Sequence, residues 1–351
     1  MKKIISVIGA RPQFIKAAPI EVAIAEHKSL KHYSVHTGQH YDPNMSDIFF
    51  NELGLETPHI NLNVGSGTHA SQTAQILLAL DPVLDEINPD LLIVYGDTNS
   101  TLAATLCAVK KHIPVAHIEA GLRSFNRAMP EEINRVLTDH ASTLLYAPTQ
   151  VAIDNLKQEG IENAEISGDV MLDMILLAKG KLNMDAIVKD FYYVTIHRPY
   201  NTDNPARMLS ILNALNSLKH RVIFSVHPRT MNLLQAEYKM NLGVFGNIEF
   251  IEPQGYFENL KYLTTSEAII TDSGGMQKEA YFLKKQCVTV RSETEWIETL
   301  ANNCNQLVWE TPSDILKALN VTPGNFIENI YGKGDAAKNI VASIYKYLYA
   351  D

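Results

Sequence analysis

Short apolar runs alternate with amphipathic stretches along nearly the whole chain, and each apolar run closes on a polar turn. Residues 2–10 (KKIISVIGA), 33–38 (YSVHTG), 91–97 (LLIVYGD), 114–121 (PVAHIEAG), 143–148 (TLLYAP) and 164–169 (AEISGD) read as strands of a first unit. Between them, 14–27, 69–87, 100–112, 131–141 and 150–160 carry apolar residues at helical spacing. Residues 170–190 lose strand character and mark a crossing. The alternation restarts with strands at 192–198, 221–228, 247–253, 268–275 and 286–291 and helices at 206–218 and 276–285. A last helix, 336–350, follows the glycine-rich Tyr331-Gly-Lys-Gly334. Near-continuous Val/Ile/Leu strands alternating with helices predict parallel sheets covered on both faces. The expectation is an α/β protein of two Rossmann-like doubly wound domains, residues 1–172 and 173–334, facing a cleft that holds the site.

Composition narrows this without changing it. A chain of 351 residues suits two domains, and 46% apolar against 20% charged residues supplies ample core. No apolar run reaches the roughly 18 residues needed to span a bilayer, so no membrane association is expected. The opening IISVIGA leads into Arg-Pro-Gln rather than a small-residue cleavage site, and reads as a buried strand, not a signal peptide. Cys107, Cys287 and Cys304 lie far apart and fit no zinc spacing, which points to core thiols of a reduced, cytoplasmic protein. A formal charge of −9 argues against nucleic-acid binding, yet leaves room for an anionic small molecule held by the local field of a cleft.

Candidate chemistry falls at the carboxyl ends of the strands, where such folds do their work. Arg11 and Lys16 follow the first strand, Asp97 the third, and His117, Glu119 and Arg123 the fourth. His197 and Arg198 end the first strand of the second unit, and His227 and Arg229 the next. Asp272-Ser-Gly-Gly-Met-Gln-Lys-Glu279 places small residues at a helix N-terminus, where backbone N–H groups approach a phosphate. Glu279 is then placed to accept from ribose hydroxyls, and Arg291 adds charge to the same pocket. Asp97, Glu119 and Glu131, with His197, are suited to divide general-acid and general-base roles. Each has a plainer reading: Asp97 fits a cap of the helix starting near Ser100, and Glu131 a first-turn acid after Pro130. Glu119, closing an apolar strand, needs a partner, and Arg123 is the nearest candidate. The first loop, Gly9-Ala-Arg-Pro-Gln13, lacks G-x-G-x-x-G, so no nicotinamide cofactor is expected. His36 and His40 have i, i+4 spacing, but Gly38 between them disfavours a helix, and no metal site is expected.

Gly9-x-Arg-Pro-x-x-x-Lys16, Gly96-Asp-Thr98, His117-x-Glu-Ala-Gly-Leu-Arg123, Pro130-Glu-Glu-x-Asn-Arg135, His197-Arg198 and Asp272-Ser-Gly-Gly-x-Gln-x-Glu279 occur together and in order. The chain thereby resembles the bacterial non-hydrolysing UDP-N-acetylglucosamine 2-epimerases over essentially its whole length. The resemblance implies a glycosyltransferase-B type fold, with residues 335–351 packing back on the first domain, a homodimer, and no cofactor. It implies loss of UDP across C1–C2 to a 2-acetamidoglucal and re-addition after protonation on the other face. It also implies that Asp97, Glu119, Glu131 and His197 are catalytic and that Arg11, Lys16, His227, Ser273, Gly274 and Glu279 bind the nucleotide. Arg123, Arg135, Gly275 and Arg291 join that substrate set, and Gln39 and His40 match a regulatory region. Two stretches depart from the family pattern, His197-Arg-Pro-Tyr-Asn201 and residues 64–73. Sister enzymes acting on other UDP-2-acetamido sugars, diacetamido uronic acids included, look similar there, so the resemblance covers both substrates. A glycosyltransferase of the same fold is disfavoured because helix 14–27 has one lysine and no basic face. A binding-only nucleotide-sugar sensor is disfavoured by the intact Asp97, Glu119, Glu131 and His197.

Overall fold

The computed structural model describes residues 1–39, 57–181 and 190–350. The chain divides into two compact units, Met1–Leu177 with Asn329–Asp351, and Ala178–Glu328. The sequence placed these borders at 172/173 and 334/335; the helix Val170–Lys181 runs across the first of them.

In the first unit seven strands form one parallel sheet: β1 (Lys2–Ile8), β2 (Leu30–His36), β3 (Ile60–Asn61), β4 (Leu91–Tyr95), β5 (Val115–Ile118), β6 (Leu144–Ala147) and β7 (Ala164–Ile166), in the order β3-β2-β1-β4-β5-β6-β7. The chain winds outward from β1 in one direction, then returns to β4 and winds the other way. The connections after β1 and β4 therefore leave opposite faces of the sheet at their carboxyl ends, which opens a switch point there. The core of this sheet is built from Ile5, Val7, Val35, Leu92 and Val94 against Leu80 and Leu84 of the helix His69–Ile87 and Ala104 and Ala108 of the helix Asn99–Lys110. β3, a two-residue strand, was not visible in the apolar pattern because it is too short to show a period.

The second unit repeats the plan with six parallel strands: β8 (Phe191–Thr195), β9 (Arg221–Ser225), β10 (Ile248–Ile251), β11 (Ala268–Thr271), β12 (Gln286–Thr289) and β13 (Asn305–Leu307), ordered β10-β9-β8-β11-β12-β13. Its switch point lies between β8 and β11. Val194, Val222, Phe224, Ile270 and Val288 pack against Met208, Ile211, Leu212 and Leu215 of the helix Pro205–Asn216. Among the described residues no helix is long and apolar enough to cross a membrane. The three cysteines are free and buried.

The helix Ala336–Tyr349 packs against Arg11–Ala25 in the first unit. Tyr146 Oη donates to Ser343 Oγ at 3.1 Å, and Tyr349 Oη to the Ser29 carbonyl at 2.9 Å. Asp173 takes over the capping of this helix: its carboxylate accepts from Ala336 N at 3.3 Å and Ala337 N at 2.8 Å. Burial pushes the Asp173 carboxyl up from 3.8 to about 6; the two N–H groups oppose this, and Asp169 and Asp335 add to it. A folded-state value above the unfolded one stabilises the fold most below about 3.8, and that contribution is lost as pH rises through about 6. Asp173→Asn removes this titration while keeping an acceptor. Urea unfolding at pH 4 and pH 7.5 should show the variant gaining on the wild type by about 1–3 kcal/mol across that interval; parallel pH dependence in the two proteins would refute the assignment.

Candidate active site

The carboxyl ends of β1, β4 and β5 meet at the first switch point, and Gln13 ties their loops together. Its Oε1 accepts from Gly9 N at 2.8 Å and Ala10 N at 3.1 Å, while its Nε2 donates to the Tyr95 carbonyl at 2.9 Å and Thr101 Oγ1 at 3.0 Å. Gly9 must be glycine, because a methyl group there would overlap Ser100 Oγ and Thr37 Oγ1. Arg11 then opens the helix Arg11–Ala25.

Lys16, one and a half turns along that helix, reaches Glu119 beyond the end of β5 and forms a short ion pair with it. Both are buried, at 9% and 7% exposure. Glu119 has φ +75°, a left-handed backbone that a side-chain-bearing residue adopts only under constraint. The constraint is visible: Glu119 N and Ala120 N both donate to the Tyr146 carbonyl, at 3.1 and 3.0 Å. Gly96 supplies the room, since a Cβ there would stand 2.9 Å from Lys16 Nζ and 3.2 Å from Glu119 Oε2. The sequence suggested Arg123 as the partner of Glu119; the partner is Lys16, 103 positions away.

Asp97, half-buried, is held by Arg135 of the helix Pro130–Ala141, and Arg135 also pairs with Glu132 at 3.0 Å. The capping reading of Asp97 does not apply, because Thr98 caps the helix Asn99–Lys110 by accepting from Thr101 N at 3.3 Å. Asn134 Nδ2 donates to the Asp97 carbonyl at 2.9 Å, so one helix fixes both ends of this residue. Glu131 sits half-buried in the first turn of that helix, after Pro130. Its neighbour Glu132, in the same sequence motif but with no role assigned there, clamps the preceding loop by accepting from Ser124 N, Ser124 Oγ and Phe125 N, each at 2.9 Å.

Beneath these groups lies a second charged layer. His117 Nε2 donates to the Gly96 carbonyl at 2.8 Å, and Nδ1 faces Asp139 Oδ1 at 2.7 Å. Arg123 Nη1 donates to Asp139 Oδ2 at 2.7 Å, and its Nε and Nη2 grip Glu159 at 2.7 Å each. Burial drives the Asp139 carboxyl up, but His117 and Arg123 together hold it below the ordinary carboxylate range. Arg123, expected to bind substrate, is instead enclosed by two carboxylates of its own unit. Gln39 accepts from Ser100 N at 3.0 Å and Ser100 Oγ at 2.6 Å, while His40 lies outside the described residues. His36 stacks on Phe14 at 5.1 Å between ring centroids, and burial lowers its pKa to about 4, opposed by a hydrogen bond to the Asn61 side chain.

In the second unit Asp272, fully buried after β11, organises the loop that follows β8. It accepts from His197 N at 3.1 Å, Arg198 N at 2.9 Å and Asn201 Nδ2 at 3.0 Å, and His197 Nδ1 lies 3.3 Å from its Oδ1. The imidazole, 40% exposed, is thus oriented through Nδ1 and presents Nε2. Pro199 and Tyr200, within the stretch that departs from the pattern of the resemblance, begin a short helix Pro199–Thr202, and Asn201 Nδ2 bridges Asp272 and the Val290 carbonyl. Ser273 caps the helix Gly274–Phe282, accepting from Met276 N at 3.5 Å, and Gly275 and the buried Glu279 lie on that helix. Arg291, buried after β12, pairs with Glu295 at 2.9 Å. His227 is exposed and caps Pro228–Asn232 through Nδ1, accepting from Arg229 N at 3.3 Å. Asp139 and Glu295 gave no signal in the sequence beyond being acids; Glu132 belonged to the Pro130-Glu-Glu motif without an assigned role, and Gln13 stood at an open position of the first motif.

The profile of the family described as UDP-N-acetylglucosamine 2-epimerase matches residues 22–345. A UDP-2,3-diacetamido-2,3-dideoxy-D-glucuronate 2-epimerase of Pseudomonas aeruginosa is 44% identical over 98% of this chain and 99% of its own length. The crystal structure of the Methanocaldococcus jannaschii UDP-GlcNAc 2-epimerase in complex with UDP-GlcNAc and UDP superposes with a TM-score of 0.90 at 41% identity, covering 98% of this chain and 99% of that one. The Neisseria meningitidis UDP-GlcNAc 2-epimerase bound to UDP-GlcNAc gives 0.85 at 29% identity, over 98% and 100%.

Because Asp272 is buried and gathers three donors, its removal takes an acceptor from each, and only Asn201 Nδ2 keeps the Val290 carbonyl as a second one. Asp272→Ala should lower stability by about 2–4 kcal/mol in urea unfolding followed by circular dichroism; a change below about 0.5 kcal/mol would show that the loop does not depend on it.

Proposed function

The chain belongs to the UDP-N-acetylglucosamine 2-epimerase family, and from that premise we propose that it inverts C2 of a UDP-2-acetamido sugar without hydrolysing the nucleotide. The preferred reading is interconversion of UDP-N-acetylglucosamine and UDP-N-acetylmannosamine, as a cytoplasmic homodimer supplying precursors for cell-surface polysaccharide. It needs no nicotinamide cofactor or metal, in keeping with the absence of G-x-G-x-x-G from the first loop.

The observation that carries this reading is the Lys16–Glu119 pair, with Glu119 held in a left-handed backbone at a strand end. The C2 proton of the sugar is weakly acidic. A carboxylate removes it, C1=C2 forms as the C1–O bond to UDP breaks, and a 2-acetamidoglucal and UDP result. Protonation of C2 from the opposite face, with attack of the UDP oxygen on C1, gives the epimer. Atoms balance with no added reactant. Glu119, Asp97 and Glu131 are the candidates for the two proton transfers. Lys16 and Arg135 hold two of these carboxylates in place and carry positive charge where a departing diphosphate develops negative charge. In the other unit the Ser273-Gly-Gly275 helix start, Arg291 and His227 supply nucleotide-binding groups, with Glu279 for the ribose and His197 oriented by Asp272 for the reacting sugar or leaving group, and Arg11 of the first unit joins the nucleotide-binding set. Arg123 serves this chemistry through its grip on Asp139, and Asp139 in turn positions His117 under Gly96.

A second sugar is favoured by one observation, the 44% identity to the diacetamido-glucuronate epimerase. Incubation in D2O with each UDP-sugar, followed by NMR, separates the two. The preferred reading expects UDP-N-acetylmannosamine carrying deuterium at C2, at higher kcat/KM than the uronate. Release of free N-acetylmannosamine, or inversion without deuterium uptake, would refute it. Glu119→Gln should lower kcat by about 10²–10⁴-fold while leaving UDP affinity within about threefold; undiminished turnover would remove Glu119 from the reaction.

A further inference from the structure

A carboxylate occupies the place where this anion site calls for a ligand. The helix Gly274–Phe282 begins with two glycines, and its N-terminus carries the positive end of the helix dipole. A methyl group on Gly274 would overlap Glu295 Oε1, so the Glu295 carboxylate lies against that first turn. Its other oxygen lies 2.9 Å from Arg291 Nη2 as an ion pair. Arg291 is only 2% exposed, and its Nη1 has no partner among the described residues. A buried guanidinium with an unused nitrogen is costly unless a ligand completes it. One carboxylate does not use all the donors gathered here; a group with more oxygens and more charge would.

We propose that Glu295 is an internal counter-anion: it neutralises Arg291 and the helix start in the unliganded protein, and a nucleoside diphosphate binds by displacing it. This rests on reading Ser273–Gly275 and Arg291 as the UDP site. The exchange requires little backbone movement. Thr294 Oγ1 donates to Gln277 Oε1 at 2.7 Å, and the fully buried Lys278 ammonium lies 3.9 Å from the centroid of the Trp296 ring. Both anchors join the loop to the same helix, one on each side of Glu295, so the carboxylate moves by side-chain rotation while its neighbours stay fixed. The device keeps a strongly cationic pocket from binding any passing anion, and it weakens the hold on the UDP moiety, which favours release of the UDP-sugar product.

Isothermal titration of UDP into the wild type and Glu295→Gln tests this. The amide keeps the shape and loses the charge, so UDP should bind the variant about tenfold more tightly. Glu295→Ala should shift affinity in the same direction and serves as the measurement if the glutamine variant does not melt cooperatively. Equal or weaker binding by a folded variant, with the wild type binding UDP, overturns the displacement alone. No binding of UDP by either protein overturns the site assignment and this proposal with it.

Discussion

Lys16 and Glu119 come from elements 103 positions apart, and the first unit is built so that both can be buried at one point. An isolated ion in that position would be strongly disfavoured, so the pair has to form and every neighbouring group has to permit it. Gly96 permits it by lacking a Cβ, the Tyr146 carbonyl permits it by capturing two successive N–H groups, and β5 stops where it does because Glu119 turns left-handed. The layer below follows from the same constraint. His117 fixes the Gly96 carbonyl, Asp139 fixes His117, and Arg123 balances Asp139 while reaching Glu159 near the surface. Each buried charge is answered by the next until the chain of pairs meets solvent. The arrangement is rigid because loss of any member strands its neighbour.

The second unit answers the same problem with one residue. Asp272 stands at the carboxyl end of β11 and His197 at that of β8, the two strands whose connections part in opposite directions. A parallel doubly wound sheet leaves backbone N–H groups unpaired at such a point, and Asp272 collects them. Orientation of the imidazole comes with that collection, since His197 Nδ1 lies beside the same carboxylate. Structure and candidate chemistry are inseparable here, and the contacts that hold the loop run through the backbone and Asn201 rather than through Pro199 or Tyr200.

Much of this was legible in the sequence, and the illegible part has a common cause. Strand runs and strand-end polar residues are local signals, so the two sheets and the positions of Asp97, Glu119, His197 and Ser273 follow from period and punctuation. Partners are not local. Proximity in sequence pointed from Glu119 to Arg123, four positions on, whereas the sheet order brings in a lysine from the first helix. Arg123 looked like a substrate ligand because a charged residue near a glycine at a strand end usually is one; Asp139 and Glu159, 16 and 36 positions away, carried nothing to mark them as its partners. The choice between Asp97 and Thr98 as helix cap turned on a single position, which pattern alone does not resolve.

Net charge gives the last step. A protein of formal charge −9 that binds a diphosphate repels its ligand at long range unless the acids near the site are already answered. In both units they are: Glu119 by Lys16, Asp97 and Glu132 by Arg135, Asp139 and Glu159 by Arg123, Glu295 by Arg291. Pairing of this kind neutralises the local field without removing the groups, so the carboxylates and the cations both remain in place for the roles proposed for them. A pair at a strand end differs from a core salt bridge in one respect: it can be opened. On the proposed reaction, a ligand that offers oxygens to the cation releases the acid, and binding of the leaving group and readiness of the base become one event. The pairing of Glu119 with Lys16 and of Asp97 with Arg135 thus sets a cation beside each of these acids, so an anionic ligand meets neutral pairs there rather than bare carboxylates.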